Sequence, residues 1–272
     1  MKPNITQIVA LEKHYKVKVL YACEAGSRAW GLESPYSDKD LGIIYHRSQE
    51  WYASILNKQD TIDLSLHTEF DGFGWDLRKI LQGLIASNAV VYDWLQGHNH
   101  FISCPFTKRH LDSISQQCFD PRKVIFHYLG LGNNLIHKYK EKTDIQIKAY
   151  MLLIRSTLAA MWVKEKGTAP PILFSELLTI AESQPMALMP IHKIVMLKKQ
   201  AKPDKYVPKI SILDQFIKDN RNVCSKYAES LFPKDNTAAL AVAEKLFHEV
   251  IFQQQNREAL FDDFIKRDKK EA

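Results

Sequence analysis

The 272-residue sequence contains no run of roughly 18 apolar residues able to span a bilayer. Its opening Met1-Lys2-Pro3-Asn4 lacks the apolar segment of a secretory signal. A cytoplasmic protein that does not enter a membrane is expected. The four cysteines, Cys23, Cys104, Cys118 and Cys224, include no Cys-x-x-Cys pair and no alternating Cys and His spacing. That pattern argues against a structural zinc site and for reduced thiols. No long stretch has the low hydropathy of disordered chains, and no internal repeat suggests a solenoid.

What is present is globular in kind: 46% hydrophobic and 25% charged residues. At roughly 100 to 200 residues per domain, the length favours two units. The formal charge of +6 is uneven, −2 over residues 1–120 and +8 over residues 121–272. A basic second half suits a polyanionic acceptor such as RNA, although charge runs are more often solvated faces.

The first ~100 residues alternate helical and extended patterns. Ile5, Ile8, Val9 and Leu11 predict a helix, and Val17, Val19, Tyr21 and Cys23 then recur with period two. Asp40 to Tyr45 reads as a short, mostly buried strand, and Ser48 is placed to cap a helix running through Leu56. A third strand is expected with Ile62, Leu64 and Leu66 on one face, and with Asp63, Ser65, His67, Glu69 and Asp71 in phase on the other. From Trp75 the period becomes helical, and Asn88 suits the cap of a further helix through Leu95. Beyond residue 115 the pattern is almost wholly helical: Asp120-Pro121 opens one helix, and Ile145–Lys164 and Ala238–Phe264 are long amphipathic segments.

The segment Glu24-Ala25-Gly26-Ser27-Arg28-Ala29-Trp30-Gly31 is followed shortly by Ser37-Asp38-Lys39-Asp40. The order is strand, small-residue turn, then paired acids at a strand. Two Asp residues one position apart on a strand project to one face, so Asp38 and Asp40 can share Mg²⁺ while Lys39 points away. Gly26 permits a tight turn, and the amides after it, with the Ser27 hydroxyl, can form a nest for the β and γ phosphates of a triphosphate. Phosphoryl-type transfer needs little else, because metal ions neutralise the triphosphate and align the attacking group. The bland reading is a polar turn that caps a strand.

At these residues the chain resembles the nucleotidyltransferase-fold superfamily, and more closely the RlaP-like, or RNA-ligase-associated, predicted nucleotidyltransferases. The likeness rests on Gly26 to Gly31, Ser37 to Asp40, Gly74-Trp75-Asp76-Leu77-Arg78-Lys79, Ser87-Asn88 and Asp93-Trp94-Leu95. It continues more weakly through His127-Tyr128-Leu129, Lys148-Ala149-Tyr150, Arg155 and Pro170-Pro171. It implies a small mixed sheet flanked by helices, an NTP donor with ATP as first choice, and Mg²⁺, alternatively Mn²⁺, held by Asp38, Asp40 and a third carboxylate on a neighbouring strand. Asp93 stands where the family has Glu, and Gln96 to Phe101 replaces a Ser-Pro-containing segment.

Asp71, at a strand end and beside the Gly-Trp-Asp-Leu-Arg-Lys likeness, is the preferred third ligand, with Asp63 the rival. The expected nucleotide-binding set is Gly26, Ser27, Arg28, Ser37, Arg78 and Lys79; Arg28 has the alternative of pairing with Glu24 or Glu33. Trp30 is expected to pack under the loop. Lys148 and Arg155, two helical turns apart, are the expected acceptor contacts, with a solvated face as the alternative. The fold class expected is α/β of the α+β type: a nucleotidyltransferase-like catalytic domain over residues 1–115, then a helical domain over 116–272. The function expected is transfer of a nucleoside monophosphate from an NTP to an RNA end, a protein or a small molecule. The alternative is a non-catalytic or antitoxin-like nucleotide- or RNA-binding module. The sequence leaves the oligomeric state open.

Overall fold

The computed structural model describes residues 5–65, 70–97, 99–200, 202 and 204–252. Strands β1 (Lys18–Glu24), β2 (Asp40–His46), β3 (Thr61–Asp63), β4 (Asp71–Asp76) and β5 (His100–Ser103) form one sheet in the order β3-β4-β2-β1-β5. Only β2 and β4 run parallel; the other neighbours are antiparallel. The sheet is therefore mixed, as expected. In β2 the period-two alternation sends Leu41, Ile43 and Tyr45 to one face and Ile44 to the other, and both faces are covered.

Helix α1 (Ile5–Tyr15) precedes β1, α2 (Gly26–Ala29) follows it, and α3 (Gln49–Tyr52) follows β2. The helix expected from Ser48 ends four residues early, and the Ser48 side chain makes no cap hydrogen bond. The third extended segment also departs from expectation. β3 stops at Asp63, and Asp71 opens a separate strand that runs through Trp75 and Asp76. Leu66, His67, Glu69 and His98 lie outside the described residues. Helix α4 (Leu77–Ile85) begins only after Asp76, whose carboxylate caps it by accepting from the Arg78 amide at 2.9 Å. Burying Leu77, Ile80, Leu81 and Leu84 holds α4 to the sheet, at roughly 1.5–3 kcal/mol for each side chain. Asn88 caps α5 (Ala89–Leu95) through the Val90 amide.

Helices α6 (Pro105–Cys118) and α7 (Pro121–Tyr139) both start with proline in the first turn, where the missing N–H costs nothing. The Asp120 carboxylate caps α7 by accepting from the Arg122 and Lys123 amides. After β6 (Asp144–Gln146) come α8 (Ile147–Lys166), α9 (Phe174–Leu178), α10 (Pro185–Gln200), β7 (Tyr206–Pro208), α11 (Ser211–Ser230) and α12 (Thr237–Phe252). β6 and β7 pair antiparallel, a small sheet that no strand pattern announced. Residue 115 falls inside α6. Ala239, Ala243, Leu246 and Val250 of α12 share a core with Leu77, Ile80 and Leu111, so the chain returns at its end to the first unit. A separate core joins α7, α8, α10 and α11. Among the described residues no helix is long and apolar enough to cross a membrane.

Candidate active site

β1 ends at Glu24 and the chain turns at Gly26, whose φ of +63° lies in the left-handed region. The Ala25 amide donates to the Asp40 carbonyl at 2.8 Å, which brings the turn against the start of β2. A Cβ on Gly26 would stand 2.0 Å from Oδ2 of Asp40, so the carboxylate rests directly on the glycine. Ser27 Oγ donates to Ser37 Oγ at 3.2 Å, and Ser37 Oγ also accepts from the Ser34 amide at 2.9 Å. Arg28 donates through Nε to the Asp38 carbonyl at 3.0 Å and through Nη2 to the Ser37 carbonyl at 3.4 Å. It therefore fastens the acidic segment and bonds to neither Glu24 nor Glu33; Glu24 accepts instead from Asn99. These bonds join Ser27, Arg28, Ser34, Ser37 and Asp38 into one braced turn.

The parallel register of β2 and β4 sets Asp71 opposite Asp40. Gly72 makes this approach possible. Its φ is +113°, and a Cβ there would fall 2.1 Å from the Leu41 carbonyl oxygen. The Asp71 amide donates to the Lys39 carbonyl at 3.1 Å, extending the pairing beyond β2. Asp38 precedes β2, in the non-helical segment that leads into it, so the two acids do not both sit on the strand. Asp63 lies on edge strand β3, two strands from Asp40, and its carboxylate accepts from the Ser65 amide and hydroxyl at 3.0 and 2.6 Å. The structure thus brings Asp71, and not Asp63, beside Asp40.

Asp40 is half-buried. Burial raises its carboxyl above the ordinary range; the Asp38 charge adds to the rise, Lys148 opposes it, Asp71 raises it further and Arg28 opposes it. Lys148 is exposed in the first turn of α8, and its charge is the one from the helical unit that acts on Asp40. Among the described residues no three acidic, imidazole or thiol groups converge into a ready-made metal site.

Three expected residues lie elsewhere. Arg78 and Lys79 follow the far end of β4, five residues from Asp71, which is about 16 Å along a strand. There Lys79 ion-pairs with Asp60 at 2.8 Å. Arg78 stacks on Tyr52 and Phe247, 4.8 and 5.4 Å from the ring centres, beside a cavity of about 480 Å³ that is remote from the acids. Neither cation is placed to reach a triphosphate at Asp40. Arg155 is also displaced from its expected acceptor surface: it is 2% exposed, donates to the Asp93 carboxylate at 3.1 Å and stacks over Trp30 at 4.3 Å. Trp30 is partly buried and packs against the helical core as expected, and its carbonyl accepts from the Phe174 amide at 2.9 Å. The Asp93 departure from the family pattern falls within this buried pair.

Sequence reasoning missed Gly72. A glycine directly after a candidate ligand is a readable sign of close backbone approach. Lys198 lies in the last turn of α10. It is buried; burial and Lys148 lower its pKa, against Asp38 and Glu33, which raise it.

The chain matches the family described as "RlaP: RNA repair pathway DNA polymerase beta family" over residues 1–249. It is 30% identical over 213 residues to a protein of Bacillus subtilis (strain 168) named uncharacterized protein YcgL, covering 78% of this chain and 82% of that one. Among solved structures, it is similar to a nucleotidyltransferase-like protein from Exiguobacterium sibiricum 255-15, at 12% identity and a TM-score of 0.26, over 93% of this chain and 81% of that one. A mixed sheet bearing paired acids after a Gly-Ser turn and a family match across residues 1–249 lead to one assignment: the chain belongs to the RlaP family of polymerase-beta-type nucleotidyltransferases.

Proposed function

We propose that the chain transfers a nucleoside monophosphate from an NTP, with ATP as first candidate, to a hydroxyl or phosphate of an RNA end, a protein or a small molecule. One observation carries this reading: the parallel register that sets Asp71 opposite Asp40, with Asp38 two residues upstream and Gly26 against the Asp40 carboxylate. Nucleotidyltransferase-fold proteins typically use divalent metals. Asp38, Asp40 and Asp71 suit Mg²⁺ or Mn²⁺ as hard oxygen donors, and the raised Asp40 carboxyl marks a place where a cation would relieve both burial and like-charge repulsion. Among the described residues these acids do not close into a ready-made metal site; Mg²⁺ is commonly held by one or two carboxylates and completed by water and substrate phosphates. Such an ion, when bound, would neutralise the triphosphate and the departing pyrophosphate.

The protein's own contribution is placement. Gly26 and the amides after it offer a close backbone approach to phosphate oxygens, while Ser27, Ser37 and Arg28 hold the turn and the Asp38 segment in a fixed relation. Lys148 adds a cation from the helical side. The test is incubation of the full chain with Mg²⁺ and each labelled NTP, alone and with RNA or cell extract. Pyrophosphate release and label transfer, both lost in Asp40→Asn, are expected. Release or transfer unaffected by Asp40→Asn would overturn the site. Nucleotide binding without transfer in any mixture would favour the non-catalytic module.

A further inference from the structure

At the end of the sheet remote from Asp40 and Asp71, helices α3 and α12 bring five rings into a row. Between ring centres, Trp51 meets Tyr52 at 5.0 Å, Tyr52 meets Phe247 at 5.1 Å, Phe247 meets His248 at 6.4 Å and His248 meets Phe252 at 5.5 Å. Cations are interleaved with them: the Arg78 guanidinium lies 4.8 and 5.4 Å from the centres of Tyr52 and Phe247, and Lys58 Nζ lies 5.7 Å from that of Trp51. The cavity of about 480 Å³ opens among Tyr52, Arg78, Phe247, His248 and Phe252, a volume within the roughly 300–1,000 Å³ of small-ligand sites. Much of this wall is fixed from within the protein. The Tyr52 hydroxyl donates to Asp76 at 2.7 Å and accepts from the Arg47 amide at 3.2 Å, while Gln49 Nε2 donates to the Ile251 carbonyl at 3.1 Å and ties α3 to the last turn of α12. The same bonds leave Arg78 without a counter-ion. Asp76 is 1% exposed, and its oxygens accept from the Tyr52 hydroxyl and the Arg78 amide. Glu50 lines the cavity, yet among the described residues the exposed Arg78 guanidinium makes no salt bridge and no hydrogen bond. At the rim Phe252 is 56% exposed.

Rings with a face to offer, beside a cation with free donors, suit a ligand that is itself flat and anionic. A nucleotide unit has both parts, a base to stack and a phosphate to meet the guanidinium. The row continues past the cavity to Trp51 and Lys58, further than one base covers, which selects a strand over a free nucleotide. We propose that this face docks a single-stranded nucleic acid, whose unpaired bases stack on the ring row while its phosphates meet Arg78 and Lys58. The inference stands apart from the transferase reading, because the acids of the candidate active site take no part in it.

The test is fluorescence anisotropy of a labelled oligoadenylate of about ten nucleotides, titrated with the full chain in the absence of divalent cation. Arg78→Gln and Phe247→Leu should each weaken binding roughly tenfold. Arg78→Gln should also flatten the fall of log affinity with log salt by about 0.7, the share of one phosphate contact on a single strand, whereas Phe247→Leu should leave that slope unchanged. If Phe247→Leu fails to fold, Phe252→Ala, at an exposed ring, carries the stacking test. Wild-type chain that does not bind the strand, or variants that bind it within about twofold of wild type, would overturn the proposal. Equal displacement of the probe by sodium polyphosphate, which has charge and no bases, would also overturn it. Displacement by AMP as effective as by unlabelled strand at matched nucleotide concentration would overturn the strand and leave a mononucleotide pocket. The two readings fail separately. Asp40→Asn should bind the strand as wild type does. A chain that transfers nucleotide while every variant binds the strand normally ends this inference alone, and a chain that transfers nothing while Arg78→Gln and Phe247→Leu lose the strand ends the transferase reading alone.

Discussion

Replacing Gly26 by alanine asks whether the Asp40 carboxylate must stay where it is. Alanine at φ +63° suffers the left-handed penalty of roughly 1–2 kcal/mol. Its Cβ would also meet Asp40 Oδ2 at 2.0 Å and Cγ at 2.9 Å, whereas Asp40 Cβ, at 3.3 Å, can be tolerated. The carboxylate would therefore have to rotate away, at an off-rotamer cost of roughly 0.5–1.5 kcal/mol. Together these predict a loss of about 1.5–3.5 kcal/mol, seen as a fall in Tm on the order of 3–6 °C. The effect on transfer should be larger than that on folding, because the group moved is the half-buried acid at the centre of the site. Gly130→Ala is the control: it lies within α7 with nothing inside 4 Å of its added methyl, and should stabilise by roughly 0.5–1 kcal/mol. Thermal unfolding and pyrophosphate release would be measured on both variants. Gly26→Ala with wild-type melting and turnover would refute the close contact and the role assigned to it.

Asp71→Asn should abolish metal-dependent transfer while Asp63→Asn leaves it nearly intact, because only Asp71 stands beside Asp40; the opposite pair of rates would return the third ligand to Asp63. The Asp40 carboxyl is raised on folding, so its stability contribution is fully present below the ordinary carboxylate range and is lost as pH rises through the folded value. Metal-free Asp40→Asn should therefore melt at or above wild type at neutral pH, with the difference shrinking as pH falls toward about 4, and a variant that is less stable throughout would contradict this sign. Arg155→Met should cost about 3–5 kcal/mol in a denaturation series by leaving Asp93 buried without its partner. Unchanged stability with loss of acceptor use would restore Arg155 to the acceptor surface.

The legible part of the fold was the part governed by local chemistry. Asn88 and Asp120 announced their helices because short polar side chains satisfy first-turn amides, and β1 and β2 showed themselves through buried apolar residues. β4 escapes the sequence pattern because Asp71-Gly72-Phe73-Gly74-Trp75-Asp76 has two glycines and little apolar alternation; its strand character comes from pairing with β2 on one side and β3 on the other. The helical period read from Trp75 therefore starts two residues early, and it makes Arg78 and Lys79 look like neighbours of the acids. Parallel pairing reverses the conclusion, since it puts Asp71 at the site and the residues that follow Asp76 at the other end of the sheet.

The same distinction between counting residues and locating them applies to the second half of the chain. A balance of +8 over residues 121–272 suggested a surface for a polyanion. Yet Arg155 is buried on Asp93 and Trp30, and Arg221 is buried among Leu129, Asn133 and Ser156. These two charges hold the helical core and are not offered to a ligand. Lys148, in the first turn of α8, opposes the rise of the Asp40 carboxyl, so the effect of a charge depends on where it stands. The net charge thus overstates the freely presented basic surface and hides the local balance at the site. The first unit brings acids that repel one another at Asp40. A divalent cation would relieve that repulsion, which is the physical reason for the metal-dependent transfer proposed at Asp38, Asp40 and Asp71.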